Sequence, residues 1–325
     1  MDETRYFKNI GLDAKDLKIM YELDINSRQS NSSIGKKVRL EKSVVAYRIK
    51  RLVEKGFIKK FYTIIDTGRL GYRGYRIYLK WQFINEEKER EIIRYLIERP
   101  FTWWVGTAIG EWSLGFVVWA KDFEKFEHFW FDFFDKYQSY IQRKDLAIYS
   151  KLYSCPYSFL SPSSAPRRKF QIIGSYGNEK ISRKERKVLS ILAENARMPI
   201  VEISQKTRVS ISGVKYMIKK LKDRGIIGGF RIQFDNDMLG FSQYKINFYL
   251  NDLQMYKNML EFALAHPNVI YVPKSIGFAE FEAEIMARNV QELEKFIKLM
   301  LNRFSSHIRH YEYFVFKGAH KIRYW

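Results

Sequence analysis

A single cysteine, Cys155, stands among 325 residues, so no intrachain disulfide framework and no cysteine-rich zinc site can organise this chain. No apolar run approaches the roughly 18–20 residues that a membrane-spanning helix requires. The longest candidate, Trp112–Ala120, falls well short. The stretch Met1–Lys8 is charged and has no apolar signal core, which points away from secretion and toward a reducing cytoplasm. Five histidines, His128, His266, His307, His310 and His320, form no HExxH pattern and no tight ligand cluster. His307 and His310 lie three apart on or beside a strand and so face opposite sides. Gly-rich phosphate loops are missing, and no nucleophile–base arrangement can be read. The chain is therefore expected to be no enzyme and to hold no metal and no cofactor.

What the chain has in quantity is apolar and basic residues. Hydrophobic residues make up 46% and aromatic residues 17%, enough for real cores, which excludes disorder. Length alone favours two or more domains. The net charge of +21 is unevenly placed: +8 in 1–75, zero in 76–160, +10 in 161–240 and +3 in 241–325. Two basic modules separated by near-neutral ones fit two contacts with a polyanion.

The same alternation is a repeat. Asn26-x-Arg28 returns as Asn195-x-Arg197, and Val45-x-Tyr47-x-Ile49-Lys50-x-Leu52 as Val214-x-Tyr216-x-Ile218-Lys219-x-Leu221. Gly56-x-Ile58-x-x-Phe61 returns as Gly225-x-Ile227-x-x-Phe230, and Asp66-x-x-x-Leu70-Gly71 as Asp235-x-x-x-Leu239-Gly240. All keep an offset of 169, with 17 identities across 26–72 and 195–241 and no gap. Chance does not hold register that long.

Periodicity gives each copy the same course. Leu12–Leu23 is an amphipathic helix capped by Asp13, and Ser30–Val38 a short second helix. Lys42–Lys55 is a third helix with Val45, Ile49 and Leu52 on one face and Gly56 as its stop. Phe57–Ile65 alternates as a two-stranded wing, which completes a winged helix-turn-helix. In the second copy Ser182 caps a helix through Ala193, Pro199–Lys206 is the short helix, and Ser210 or Ser212 opens the third, which ends at Gly225. Beyond each module the period changes. Strands are expected at Tyr75–Phe83, Thr102–Ala108, Trp112–Ala120 and Ile141–Lys151, with helices at Glu86–Glu98 and Asp122–Tyr137. The second half repeats them at Gln243–Leu250, Leu253–Ala265, Val269–Ile276, Glu280–Ala287, Val290–Phe304 and Ile308–Lys317, at an offset that has become 167. The order βαββαβ is a ferredoxin-like sandwich. The fold class is α+β, as two copies of a winged helix-turn-helix followed by a ferredoxin-like domain. The boundaries are 1–72 and 73–156, a linker at 157–176, then 177–241 and 242–325. Trp103, Trp104, Trp112, Trp119, Trp130, Phe131, Phe133 and Phe134 follow strand and helix periods and read as core and sheet packing rather than a ligand cage.

A winged helix with Leu12-Asp13-x-x-Asp16, Asn26-x-Arg28, Ser43-x-Val45-x-x-Arg48-Ile49-x-x-Leu52 and Gly56-x-Ile58, followed by βαββαβ, resembles the Lrp/AsnC or feast/famine family of prokaryotic transcription regulators. The resemblance covers nearly the whole chain twice, where a family member usually has one copy and dimerises through its sheet. It implies a ligand-sensing and assembly role for the βαββαβ domains, with effector binding around Gly110, Ser113, Gly277 and Glu280. The family commonly places an aspartate where Ser113 and Glu280 stand, so tight binding of free amino acids is not expected. The second copy also departs at Met217, which replaces Arg48, and at Ile181-Ser182, which replaces the Leu-Asp opening.

With Val45, Ile49 and Leu52 facing the core, the third helix turns Lys42, Ser43, Ala46, Tyr47 and Lys50 outward, the side that enters a major groove in a helix-turn-helix. The second copy turns out Ile211, Ser212, Lys215, Tyr216 and Lys219. Lysines neutralise phosphates, and Ser and Tyr bond phosphate or a base edge. Arg51 and Lys220 join these helix faces as DNA contacts, as do Lys59 and Lys60 on the first wing, where the second copy has Gly228 and Gly229. Arg28 and Arg197 either contact phosphate or pair with a helix-one acid such as Asp16 or Glu185. Arg167, Arg168 and Lys169 either track the backbone or solubilise the linker. The expected function is a sequence-specific regulator acting on double-stranded DNA as a covalent pseudo-dimer, cytoplasmic and nucleoid-associated. The two sheets are expected to pack face to face. A small-molecule effector and further self-association stay open. Two alternatives remain, an architectural chromatin protein without sequence preference and a fused siroheme decarboxylase-like enzyme.

Overall fold

The computed structural model describes residues 3–160 and 170–322, so Arg167, Arg168 and Lys169 lie outside the described residues. From the amino end the elements run α1 (Glu3–Asn9), α2 (Ala14–Ile25), α3 (Asn31–Val38), α4 (Lys42–Glu54) and β1 (Ile58–Ile65). Next come β2 (Arg73–Trp81), α5 (Glu86–Glu98), β3 (Thr102–Gly110), β4 (Leu114–Ala120), α6 (Phe123–Tyr137) and β5 (Ile141–Ser154). After β6 (Gln171–Ile173) the course repeats as α7 (Arg183–Glu194), α8 (Ile200–Thr207), α9 (Ile211–Asp223) and β7 (Ile227–Phe234). It closes with β8 (Ser242–Leu250), α10 (Tyr256–Ala265), β9 (Val269–Ile276), β10 (Phe281–Ala287), α11 (Val290–Phe304) and β11 (Ile308–Ile322). Contacts gather the described residues into two units by type rather than by copy: one holds 3–65, 155–160, 170–171 and 181–241, the other 66–154, 172–180 and 242–322.

In the first unit the helices start where capping chemistry places them. The Asp13 carboxylate accepts from the backbone N–H groups of Lys15 and Asp16, both at 2.8 Å, while Asp16 reaches back to the Asp13 N–H. Ser182 and Glu185 form the same reciprocal cap on α7. Gly56 and Gly225 end the third helices at φ +84° and +68°, values that a residue with a Cβ rarely adopts.

The expected two-stranded wing is corrected. Phe57–Ile65 contributes one strand, not a hairpin, and β1 pairs antiparallel with β7 of the other copy. The reason lies in burial: Tyr62, Thr63, Ile64 and Ile65 are all buried, so an uncovered edge here would leave backbone groups without partners. The register centres on Tyr62 opposite Arg231, which are equivalent positions, and Phe61↔Ile232 mirrors Thr63↔Phe230. An approximate two-fold therefore runs through that pair. It recurs in Ser27 N–H to Phe230 O at 2.8 Å and Ala196 N–H to Phe61 O at 2.9 Å.

In the second unit each βαββαβ copy has the ferredoxin order, β5-β2-β4-β3 and β11-β8-β10-β9. Rather than packing face to face, the sheets join at both edges, β3 to β11 and β9 to β5. Eight strands thereby close into a ring, with β6 added beside β5. The two seams share one register, since Val315↔Ile109 and Ile148↔Ile276 are equivalent pairs at the offset of 167. Outside the ring, Ile77, Leu79, Leu114, Phe116 and Val118 pack against Ile92, Leu96, Phe126, Phe129 and Phe133 of the helices. Trp103, Trp112, Phe133 and Phe134 are buried, and Trp104, Trp119 and Trp130 half-buried, but Phe131 is 65% exposed and belongs to no core.

The inward-turned residues of the ring carry charge. Arg76 grips Glu282 with two hydrogen bonds, at 2.5 and 2.9 Å, and Lys245 reaches Glu282 at 2.6 Å and Glu284 at 3.2 Å. All four are buried, and Gln243 and Ser275 add bonds to Glu284 and Glu282. Burial pushes the Glu282 carboxyl up, but Arg76 and Lys245 overcome that and hold it at about 2 against an ordinary 4.5. Because its folded value is depressed, Glu282 stabilises the fold above pH 4.5 and ceases to do so as pH falls toward 2. We expect a loss of about 3 kcal/mol from this group over that window. Urea melts from pH 7 to pH 2.5 should show a steep acid limb that flattens in Glu282→Gln; an identical limb in that variant contradicts the assignment.

Candidate nucleic-acid interface

The third helix of each head rests on Val45, Ile49 and Leu52 or on Val214, Ile218 and Leu221, all buried. This seating turns Lys42, Ser43, Ala46, Tyr47 and Lys50 of α4 to solvent, and Ile211, Ser212, Lys215, Tyr216 and Lys219 of α9. Tyr47 and Tyr216 are each 65% exposed. A tyrosine that open in both copies leaves most of its ring to solvent. Ser210 caps α9 by accepting from the Gly213 N–H at 3.1 Å, whereas Glu41 at the start of α4 makes no side-chain cap.

Acids at the start of α2 and of α7 hold α4 and α9 in place. Arg48 donates to Asp13 at 2.7 Å and to Asp16 at 2.9 Å, and Arg51 donates to Asp16 at 2.5 Å. Burial pushes the Asp13 carboxyl up, but the Arg48 guanidinium and backbone N–H donors bring it below its usual value. In the other head Lys220 and Arg224 approach Glu185 at 3.3 and 3.5 Å. Burial likewise raises Glu185, and the Ser182 donors and Lys220 pull it below the ordinary range. Arg51 and Lys220, expected on the DNA face, thus also brace the helix, because they lie beside a buried carboxylate. Lys50 has the exposed Glu54 nearby, at 3.6 Å.

Arg28 and Arg197 bond across the two-fold rather than to Asp16 or Glu185. Arg28 donates across the two-fold to the carbonyls of Ala196 and Met198, at 2.5 and 3.1 Å. Arg197 returns the contact to Ser27 O at 2.6 Å, to Gln29 O at 3.3 Å and to Asn31 Oδ1 at 3.0 Å. Both guanidiniums are half-buried and lie over the other copy's Phe230 and Phe61 rings. Burial lowers the pKa of each, further for Arg28 through the nearby Arg197 charge. They join the heads together. Lys59 pairs at 2.9 Å with Asp235 of the other copy, as β1 pairs with β7, rather than lying on a free wing. Lys60 is half-buried in the same strand.

The glycine-marked loops of the ring are taken up by the fold. Gly110 and Gly277 have φ of +115° and +98°. Ser113 Oγ accepts from the Trp81 N–H at 3.3 Å, and Glu280 at the equivalent place accepts from the equivalent Leu250 N–H at 2.9 Å. Glu280 also faces Arg309 at 3.4 Å. Sequence reasoning passed over three groups: the two-fold role of Arg28 and Arg197, the acids that brace α4 and α9, and the buried Asp24–Arg231 pair, whose bonds are 2.8 and 2.6 Å long. A charged residue amid buried neighbours, such as Arg76 between Tyr75 and Ile77, was the available signal.

A family model for a winged helix-turn-helix DNA-binding domain matches residues 12–59 and again 181–227. The transcriptional regulator AzlB of Bacillus subtilis is 32% identical over 124 residues, a match covering 38% of this chain and 79% of that protein. The chain belongs to the Lrp/AsnC family of transcription regulators. It is a DNA-binding regulator with two heads. Among solved structures, the siroheme decarboxylase NirDL shares the fold over 95% of this chain and 93% of its own, with a TM-score of 0.63 and 12% identity. The structure of Escherichia coli AsnC aligns with 45% of this chain and 97% of its own, at 22% identity and a TM-score of 0.39. No helix among the described residues is long and apolar enough to cross a membrane.

With Ser113 and Glu280 bonded to strand N–H groups, neither loop of this Lrp/AsnC protein offers a free aspartate for an amino group. A neutral serine is the weaker acceptor for a cation. We expect isothermal calorimetry to show no micromolar binding of any standard amino acid. Such binding, abolished by changes at Gly110 or Gly277, is the result that contradicts this.

Proposed function

We propose that the chain acts as a covalent pseudo-dimer on duplex DNA, placing α4 and α9 in successive major grooves to read a specific, asymmetric site. One observation carries the reading: both third helices present an equivalent exposed Ser/Tyr/Lys face, Ser43-Tyr47-Lys50 and Ser212-Tyr216-Lys219, on heads related by the two-fold at Tyr62↔Arg231. Half-sites one helical turn or a multiple apart follow from such a relation. The heads differ at Lys42 against Ile211, Ala46 against Lys215 and Arg48 against Met217, which supports an asymmetric site over a palindrome. Removing one phosphate-contacting lysine should flatten the slope of log affinity against log salt by about 0.9. Lys50→Ala and Lys219→Ala titrated at several salt concentrations test this, and unchanged slopes in both remove the assignment. The same titration on specific and random duplexes separates a regulator from an architectural protein, for which the two affinities would coincide.

The whole-chain likeness to a siroheme decarboxylase favours one competing reading, an enzyme acting on a modified tetrapyrrole. We propose instead that the chain is no enzyme. The placement of charge supports this, at +8 and +10 around the two heads, since a polycarboxylate tetrapyrrole calls for cations in its own pocket and not on two winged helix-turn-helix modules. Absorbance titration with sirohaem should leave the Soret band at its free position; a saturable shift with loss of a carboxylate as carbon dioxide establishes the enzyme.

A further inference from the structure

Two sets of buried charge are split unevenly between the copies, one set in each unit. In the heads Arg231 holds Asp24 with two hydrogen bonds, and both side chains are buried. Tyr157 N–H adds a third bond to Asp24, at 2.8 Å. The equivalents of these residues are Tyr62 and Ala193, so the first copy supplies the acid and the second the base. In the ring the two cations are themselves equivalents, Arg76 on β2 and Lys245 on β8. Both acids come from the second copy, where the first has Gly115 for Glu282 and Val117 for Glu284. Gly115 could not become the acid, since a Cβ there would lie 2.6 Å from the Tyr78 ring. Asp145 and Glu312 are half-buried equivalents present in both copies, so they do not distinguish one copy from the other.

Pairing like with like breaks both sets. Two first copies would bury two Asp24 carboxylates facing tyrosines, and two Arg76 guanidiniums with no Glu282. Two second copies would bury two facing Arg231 side chains with no Asp24, and four carboxylates against two lysines. Only the unlike pair is neutral in both units. Removing one partner of a buried ion pair is strongly unfavourable, because it strands the other charge away from water. A two-fold interface between identical subunits requires each residue to suit its own copy across the axis, and Arg231 does not. The symmetric contacts, the bonds of Arg28 and Arg197 to the other copy's carbonyls among them, would form in any pairing and so cannot choose.

We infer that Asp24–Arg231 and the Arg76–Glu282–Lys245–Glu284 cluster form a pairing code: each copy accepts the unlike copy and rejects a like one from another chain. Discrimination of this kind is built from charges left unpaired in the wrong complex. The inference rests on the two interfaces and not on what the heads bind.

Engineered cysteines in the full-length chain can report the wrong seam directly. Ile109 lies opposite Val315, and Ile148 opposite Ile276. If two first copies met, Ile109 of one chain would face Ile148 of the other. In a chain that also carries Cys155→Ser, Ile109→Cys and Ile148→Cys, both in the first copy, place facing thiols between chains in a like seam and not in the unlike one. Ile109→Cys with Val315→Cys is the control for the unlike seam and should close within one chain. Under mild oxidation we expect the control to close and the like-seam reporter to give no linked dimer. Adding Asp24→Asn and Arg76→Gln, which remove the first copy's buried charges, should raise the linked dimer at least tenfold. Abundant linked dimer with the native charges, or no rise on their removal, overturns the code. If the neutralised chain fails to fold, relocation of a carboxylate decides. Val117 lies directly opposite Arg76 on β4, as Glu284 lies opposite Lys245. Glu282→Gln should lower the melting temperature, and adding Val117→Glu should restore at least half of the loss. No recovery, with Val117→Glu alone equally damaging, shows that charge balance does not set the pairing.

Discussion

Each copy taken alone ends in open strand edges: β1 or β7 in the head, and one free edge at either side of the βαββαβ sheet. A strand edge in which most side chains are buried cannot be hydrated, and its N–H and C=O groups must be paired by another strand. The three strand–strand joints, β1 with β7, β3 with β11 and β9 with β5, meet that demand within one chain. The placement of both third helices follows, because the heads inherit the two-fold of β1–β7 and Arg28 and Arg197 fasten each head to the other's backbone. Closing the ring buries both faces of β2 and β8, which creates an interior where charge must be matched.

That interior explains which features were legible in the sequence. Helices with strong caps, such as those begun by Asp13 and Ser182, are local matters and could be read directly, as could the strand order implied by βαββαβ. The single wing strand could not. An alternating stretch such as Phe57–Ile65 reads equally as a hairpin or as one strand, and the choice depends on a partner 169 residues away. The ring was hidden for a related reason. Tyr75-Arg76-Ile77-Tyr78-Leu79-Lys80 alternates as a strand with one wet face would, and only closure turns the polar face inward. Arg28 and Arg197 recur in both copies, but recurrence does not say whether a residue serves the interface or the ligand.

The uneven charges have an energetic consequence for a duplicated chain. Two identical subunits meeting at a two-fold can place at the axis only residues that tolerate themselves. Joining the subunits covalently lifts that restriction, since position 62 can be tyrosine while position 231 is arginine. A buried pair such as Asp24–Arg231 contributes little net stability over a well-packed apolar pair, yet breaking it costs about 3–5 kcal/mol. Its effect is therefore on which surfaces meet more than on how tightly they hold.

At a few positions divergence and retention run opposite to the usual expectation. Buried residues are ordinarily the constrained ones, because close packing registers small changes in volume, while exposed positions drift at little cost. In this Lrp/AsnC chain the buried positions 24, 62, 115 and 117 have all parted from their equivalents, whereas the exposed Ser43, Tyr47 and Lys50 match Ser212, Tyr216 and Lys219. The fold itself gives little reason to keep an open tyrosine twice, since most of each ring faces solvent. A reason outside the fold is required, and it must be common to both heads. A repeating polyanion supplies one, because phosphates recur along a duplex and ask the same of each helix that enters a groove, whatever bases lie beneath. Under the proposed function the shared Ser/Tyr/Lys face would provide affinity and position, and the unshared neighbours, Lys42 against Ile211 and Ala46 against Lys215, would let the two heads prefer different sequences.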